Sequence, residues 1–155
     1  MKLEIREADL SDVEIVYDLT KQAFQNYLDP AFSSHVPALK EKKDQVREDI
    51  RNKEVLLAYL AGQPVGTVRF YPVKNKIYHL SRLGVIDKFQ GKNIGKELIE
   101  EVERQALEKG GKGIVLYSAY RNKELLQFYQ SMGYQIIEVT DDDDYRRAKL
   151  KKELG

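Results

Sequence analysis

The stretch Leu83-Gly84-Val85-Ile86-Asp87-Lys88-Phe89-Gln90-Gly91-Lys92-Asn93-Ile94-Gly95-Lys96 carries the chain from an apolar run through a glycine-containing turn into a helical pattern. The run that leads into it, Ile77 to Val85, reads as a strand. Beyond it Ile94, Leu98, Ile99, Val102 and Ala106 recur on one face of a helix spanning Ile94 to Lys109. Gly110-Gly111 ends that helix as a left-handed C-terminal cap requires, and Gly113 to Tyr120 comes next as a buried strand. Strand, helix and strand at these short spacings predict a right-handed crossover, because a right-twisted strand feeding a helix packs back onto its sheet only that way.

The rest of the chain supplies further elements for the same sheet. Leu3 to Arg6 reads as a short strand, and Ser11-Asp12-Val13-Glu14 has the form of a capping box, so a first helix is expected from Ser11 with Val16, Leu19 and Ala23 on one face. Pro30, Ser33, Ser34 and Pro37 break the pattern between Phe24 and Pro37. A charged helix over Leu39 to Lys53 is expected after the break, its balanced charges suggesting a solvated face. Val55 to Ala61 and Val65 to Val73, separated by Gly62-Gln63-Pro64, form with Ile77 to Val85 an expected antiparallel meander. A helix over Asn122 to Met132, capped by Asn122 and ended by Gly133, precedes two tail strands around Asp141 to Asp144. The expected order is βααβββαβαββ, an α+β domain built on a mixed sheet with helices on both faces.

Composition narrows what such a domain can do. The 155 residues suit one domain, and 26 Lys and Arg against 25 Asp and Glu leave a net charge of +1, which argues against a polyanion or nucleic-acid binder. The bases Arg146, Arg147, Lys149, Lys151 and Lys152 are expected to decorate the exposed face of the last strand. Cysteine is absent and histidine occurs twice, so disulfides, thiolate metal sites and Cys nucleophiles are excluded and no metal is expected. Met1 to Arg6 lacks the apolar core of a secretory signal, and no run approaches the ~20 apolar residues of a membrane span. A cytoplasmic location without a membrane partner is the default expectation.

The turn at Gln90 to Lys96 is where chemistry concentrates. Free N–H groups and a helix N-terminus converge there, an arrangement that receives phosphate oxygens. Taken alone, the same glycines could serve only a tight turn and close packing. The spacing rejects two familiar phosphate loops: Gly91 and Gly95 enclose three residues where the nucleotide-hydrolase loop needs four, Glu97 stands where that loop needs Ser or Thr, and no G-x-G-x-x-G is present.

Gln90-Gly91-Lys92-Asn93-Ile94-Gly95 resembles the pyrophosphate-binding motif of the GNAT superfamily of acyl-CoA N-acyltransferases: Arg or Gln, two residues, Gly, one residue, then Gly or Ala. Asn93 replaces the first motif glycine, and Asn is among the few residues that tolerate the left-handed region. A second block, Asn122 to Tyr134, resembles the family's other signature, with Asn122 seven residues before the Tyr of Phe128-Tyr129 and Gly133-Tyr134 closing the helix. Leu125 stands where the family prefers Ala. The two blocks lie roughly 30 residues apart in the family's order, and the resemblance covers nearly the whole chain.

The resemblance implies the GNAT fold, a mostly antiparallel sheet in which two parallel strands splay apart, and acetyl-CoA as co-substrate. It assigns cofactor contacts to Leu83, Gly84 and Val85, to Gln90, Gly91, Lys92, Asn93, Ile94, Gly95 and Lys96, and to Asn122 and Phe128. It implies that the Val85 N–H donates to the thioester oxygen and that Tyr129 is the general acid for the departing thiolate. His79, six residues before Val85 and on the same expected strand face as Ser81, Leu83 and Val85, is the candidate base, with a chain of waters as the alternative. The partners implied are acetyl-CoA and an amine acceptor. That acceptor is set in this family by the region corresponding to Phe24 to Lys53, which carries no recognisable motif. The Asp141 to Asp144 run would attract a cationic amine if it borders the acceptor cleft, and is otherwise a solvated turn. A homodimer is possible, and so is a domain that binds acyl-CoA as a sensor without turning it over.

Overall fold

The structure is a computed structural model that describes residues 2–25, 37–142 and 145–155. The expected break between Phe24 and Pro37 falls mostly outside the described residues, as do Asp143 and Asp144 of the acidic run. The elements are β1 (Leu3–Glu7), α1 (Val13–Gln25), α2 (Pro37–Lys40), α3 (Lys43–Asn52), β2 (Glu54–Leu60), β3 (Gln63–Pro72), β4 (Ile77–Val85), α4 (Ile94–Glu108), β5 (Gly113–Ala119), α5 (Lys123–Ser131), β6 (Gln135–Asp142) and β7 (Tyr145–Glu153). The seven strands form a mixed sheet in the order β1-β2-β3-β4-β5-β7-β6, with β4 and β5 parallel. Among the described residues no helix is long and apolar enough to cross a membrane.

The fold divides into two compact units: Met1–Tyr71 with Arg82–Glu101, and Pro72–Ser81 with Val102–Gly155. In the first unit β1 runs antiparallel to β2, and β2 antiparallel to β3. Val16 and Ala23 of α1, Leu57 and Ala58 of β2, Val65, Val68 and Phe70 of β3, and Leu98 and Ile99 of α4 are fully buried and form its core. The loop between β2 and β3 is two residues long, with Ala61 at φ 51 and Gly62 at φ 79. Two successive left-handed residues give the hairpin turn whose twist matches its strands. The expected connection at Gly62-Gln63-Pro64 is therefore displaced, and Gln63 and Pro64 belong to β3.

Two local expectations are corrected in this unit. The first helical turn is capped by Asp9, not Ser11: the Asp9 carboxylate accepts from the Ser11 N–H at 2.8 Å, and Asp12 accepts from the Asp9 N–H at 2.9 Å. Arg6 decides between the two frames, because its guanidinium donates twice to Asp12, at 2.9 Å each, and holds that carboxylate at the turn. The segment Leu39 to Lys53 is not one solvated helix either. It is split between α2 and α3, and Glu41 in the link is buried. Glu41 and Asp49 serve Arg69, a cation inside the apolar run of β3, which donates to Glu41 at 2.7 and 2.8 Å and to Asp49 at 2.8 Å.

In the second unit β4 and β5 pair at their first residues, β5 runs antiparallel to β7, and β7 antiparallel to β6. Val102 and Ala106 of α4, Ile114 and Leu116 of β5, Ala148 and Leu150 of β7, and Tyr134 make its core. Tyr134 donates to Glu103 at 2.7 Å and Lys152 reaches the same carboxylate at 3.0 Å, which ties β7 and the end of α5 to α4. The bases of β7 consequently do not share one exposed face. Lys152 shares the face of buried Ala148 and Leu150, whereas Arg147 and Lys149 lie over the Tyr117 ring on the other face.

Candidate active site

The first unit carries the end of β4 and the turn into α4. Arg82 breaks the alternation of β4, with a φ of 54 in mid-strand. A left-handed residue inside a strand interrupts the even pleat and re-aims the side chains beyond it. The face shared by His79 and Ser81 is therefore not passed on unchanged to Leu83 and Val85, contrary to the even alternation expected. Arg82 Nε lies 3.4 Å from Glu41, so this left-handed residue is anchored to the carboxylate that also holds Arg69. Burial opposes the Arg69 charge, but bonds to Glu41 and Asp49 outweigh it and hold the guanidinium pKa above its ordinary value.

Gly84 has a packing role in addition to its expected place in the site. It is buried, and a Cβ there would stand 2.7 Å from the Ala23 Cβ and 3.1 Å from the Phe24 ring, so glycine allows α1 to lie close to β4. Val85 and Ile86 are buried, and the Gln90 side chain reaches back to the Val85 carbonyl at 3.1 Å, folding the turn onto the strand end. Gly91 at φ 80 and Asn93 at φ 64 are both left-handed. This meets the expectation that Asn93 substitutes for a glycine by tolerating that region. Gly91, Lys92, Asn93 and Lys96 are exposed, Gly95 is half-buried, and Ile94 is buried as the first anchor of α4. Nothing stands within 4 Å of where a Gly91 Cβ would be, so the turn is open on that side.

The second unit carries His79, β5 and α5. The parallel ladder consists of Ile77 with Gly113, Tyr78 with Ile114 and His79 with Val115, although β4 continues to Val85 and β5 to Ala119. His79 thus stands at the last paired position. Its ring meets Tyr117 edge-on, with centroids 5.5 Å apart. The Asn122 side-chain oxygen accepts from the Leu125 N–H at 3.1 Å, which makes it the N-cap of α5. That cap sets the phase of the helix, with Leu126 and Tyr129 on its buried side and Phe128 half-buried. The Tyr129 ring lies between Phe128 and Tyr134, at centroid distances of 5.4 and 6.1 Å. The Tyr134 phenol is a poor acid, because burial and then its bond to Glu103 raise its pKa well above the usual tyrosine range.

Sequence reasoning missed Arg82, Glu41 with Arg69, and Tyr117 with Arg147. Arg69 alone left a signal, as a charged residue in an apolar strand implies a buried partner. Asp141 is exposed and paired with Arg146 at 2.7 Å, which offsets its charge. Among the described residues no group of three or more His, Asp or Glu could hold a metal ion.

A profile of the acetyltransferase (GNAT) family matches residues 14–134, a span that includes both the Gln90 to Gly95 turn and the Asn122 to Tyr134 block. A spermidine N(1)-acetyltransferase of Thermoplasma acidophilum is 25% identical over 159 residues, covering 96% of this chain and 98% of the relative. An uncharacterized N-acetyltransferase of Chlorobaculum tepidum is 26% identical over 136 residues, 86% of this chain and 76% of its own. Among solved structures, PaiA N-acetyltransferase from Thermoplasma acidophilum in complex with coenzyme A superposes with a TM-score of 0.82 at 21% identity, over 99% of both chains. A GNAT acetyltransferase from Streptococcus pneumoniae gives 0.81 at 19% identity, over 99% of this chain and 100% of its own. The structural likenesses establish the fold, and the profile spans well over half of the sequence. The chain belongs to the acetyltransferase (GNAT) family.

Proposed function

We propose that residues 1–155 act as one acetyltransferase domain that moves an acetyl group from acetyl-CoA to a primary amine by direct attack. The observation that carries this reading is the open, left-handed turn Gly91 to Asn93 at the start of α4. It fits a pyrophosphate: the first-turn N–H groups lack intrahelical acceptors, the helix dipole favours an anion, and Lys92 and Lys96 add positive charge. The backbone of Leu83 and Val85, at the end of β4 that leads into this turn, is the place for the pantetheine arm.

Acetyl-CoA supplies an acetyl group already activated as a thioester. The Val85 N–H donates to the carbonyl oxygen as negative charge gathers there. His79, directly or through water, takes the proton that the amine must lose. Tyr129 gives its phenolic proton to the departing thiolate. A C–N bond forms, the C–S bond breaks, and the products are an N-acetyl amine and free CoA. Asn122 caps α5 and so orients Tyr129, while Phe128 packs beside its ring.

The relative named as a spermidine N(1)-acetyltransferase puts polyamines among the acceptors to be tried. The test is a screen of amines that monitors release of the CoA thiol from acetyl-CoA. Amine-dependent release supports the reading, and failure of every amine in a broad panel to give release refutes it.

A further inference from the structure

We propose that the amine acceptor carries an anionic group, a carboxylate or phosphate, and that Arg147 on β7 receives it beside Tyr117 and His79. The inference rests on the acetyltransferase reading above and concerns its acceptor. Tyr117 lies one strand period beyond Val115, the partner of His79 in the last pair of the parallel ladder, and so is on the same face of β5. Across the antiparallel register Tyr117 stands opposite Lys149, and Ala119 opposite Arg147. The Arg147 guanidinium carbon is 4.4 Å from the Tyr117 ring centroid and Lys149 Nζ is 5.9 Å from it. Tyr117 is 39% exposed, so ring and cations form a platform open to ligand beside the candidate base.

The neighbouring charges leave Arg147 as the cation nearest the ring, with Lys149 farther out and facing Glu138 in register. Lys151 is engaged by Glu153 at 3.2 Å. On the other face of β7, Arg146 pairs with Asp141 at 2.7 Å and Lys152 with Glu103 at 3.0 Å. Among the described residues Arg147 has no carboxylate partner, and its Nε is buried without a hydrogen-bond acceptor. A guanidinium held over an aromatic ring keeps its N–H edge for a ligand, and its fork matches carboxylate or phosphate oxygens. A polycation would be repelled at this position.

The test compares acceptors that differ only in the anion: amino acids with their carboxamides and amino-sugar phosphates with the free amino sugars, with spermidine as the polycation. The wild-type protein is expected to favour the anionic member by about tenfold or more in kcat/KM, the scale of a charge-assisted hydrogen bond. Arg147→Gln should abolish that preference by raising KM for the anionic acceptor alone, and Arg147→Lys should restore part of it. An unchanged thermal shift with acetyl-CoA in Arg147→Gln shows that the fold and cofactor site are intact. Equal use of the paired acceptors, preference for spermidine, or an undiminished preference in Arg147→Gln would overturn the proposal and leave the acetyltransferase reading standing. Absence of thiol release with every amine tried would overturn both.

Discussion

Removing the Arg69 guanidinium should destabilise this protein more than removing any surface ion pair. Arg69 is fully buried, and its partners Glu41 and Asp49 are 6% and 20% exposed. Arg69→Met keeps most of the apolar stem but takes from Glu41 and Asp49 their buried cation, leaving Glu41 only the longer 3.4 Å contact with Arg82 and Asp49 only the half-buried Lys53 at 3.2 Å. Breaking a buried pair from one side costs about 3–5 kcal/mol, because the remaining charge stays desolvated. At this chain length each kcal/mol lowers Tm by about 2–4 °C, so the expected loss is roughly 6–20 °C. Glu41→Leu should fall nearer the lower end, since Asp49 still neutralises Arg69. The double variant should lose less than the sum of the two single changes, because each removes the charge that the other leaves unpaired. Urea unfolding with a thermal melt measures all three, and Glu108→Gln, which breaks the exposed pair with Arg104, serves as the control expected to change stability by under about 0.5 kcal/mol. A loss below about 1 kcal/mol in Arg69→Met, or strict additivity in the double variant, would show that the buried cation is not what holds these carboxylates in place.

Two other sites give further expected outcomes. Acetyl-CoA at 100 times its Kd should stabilise the protein by about 2.7 kcal/mol, and Gly91→Val should reduce that shift by forcing a β-branched residue at φ 80 whereas Asn93→Gly should retain it; an undiminished shift in Gly91→Val would remove the pyrophosphate from the turn. The Arg6 bonds, against some cost of burial and with help from the Asp9 N–H, hold the Asp12 carboxyl below its usual pKa, so its contribution is fully present above the unfolded value of about 3.9 and is lost as pH falls through the lower folded value. Unfolding measured from pH 7 down to pH 2 should accordingly show a shallower acid decline for Asp12→Asn than for wild type, and parallel curves would count against that linkage.

The parts of the fold legible in the sequence were those set by local periodicity and local chemistry. The strands, the α4 stripe from Ile94 to Ala106, the Asn122 cap and the left-handed Asn93 each depend on residues within a few positions of one another. What escaped was set by partners distant along the chain. Glu41 looked solvated because Arg69, which buries it, is 28 residues away. Ser11 and Asp9 both suited a helix start, and only the bonds of Arg6 to Asp12 distinguish them. The left-handed Arg82 had no glycine to announce it, and its anchor is again Glu41. Arg147 meets Tyr117 only through the register of β5 against β7, which strand patterning does not specify. In the candidate site, the left-handed turn at Gly91 to Asn93 and the aromatic pair were therefore readable, while the left-handed Arg82 in β4 and the cation over Tyr117 were not.

The proposed acyl transfer is tested at its chemical step by CoA thiol release from wild type and Tyr129→Phe, side by side, with acetyl-CoA and amine both saturating. Phenylalanine keeps the buried ring against Phe128 and Tyr134, so cofactor affinity should survive in the variant. Loss of a general acid costs on the order of 10²–10⁴-fold. Wild-type release should require both substrates, and kcat in Tyr129→Phe should be lower by that factor, whereas equal kcat in the two proteins would remove Tyr129 from the proton transfer to the thiolate.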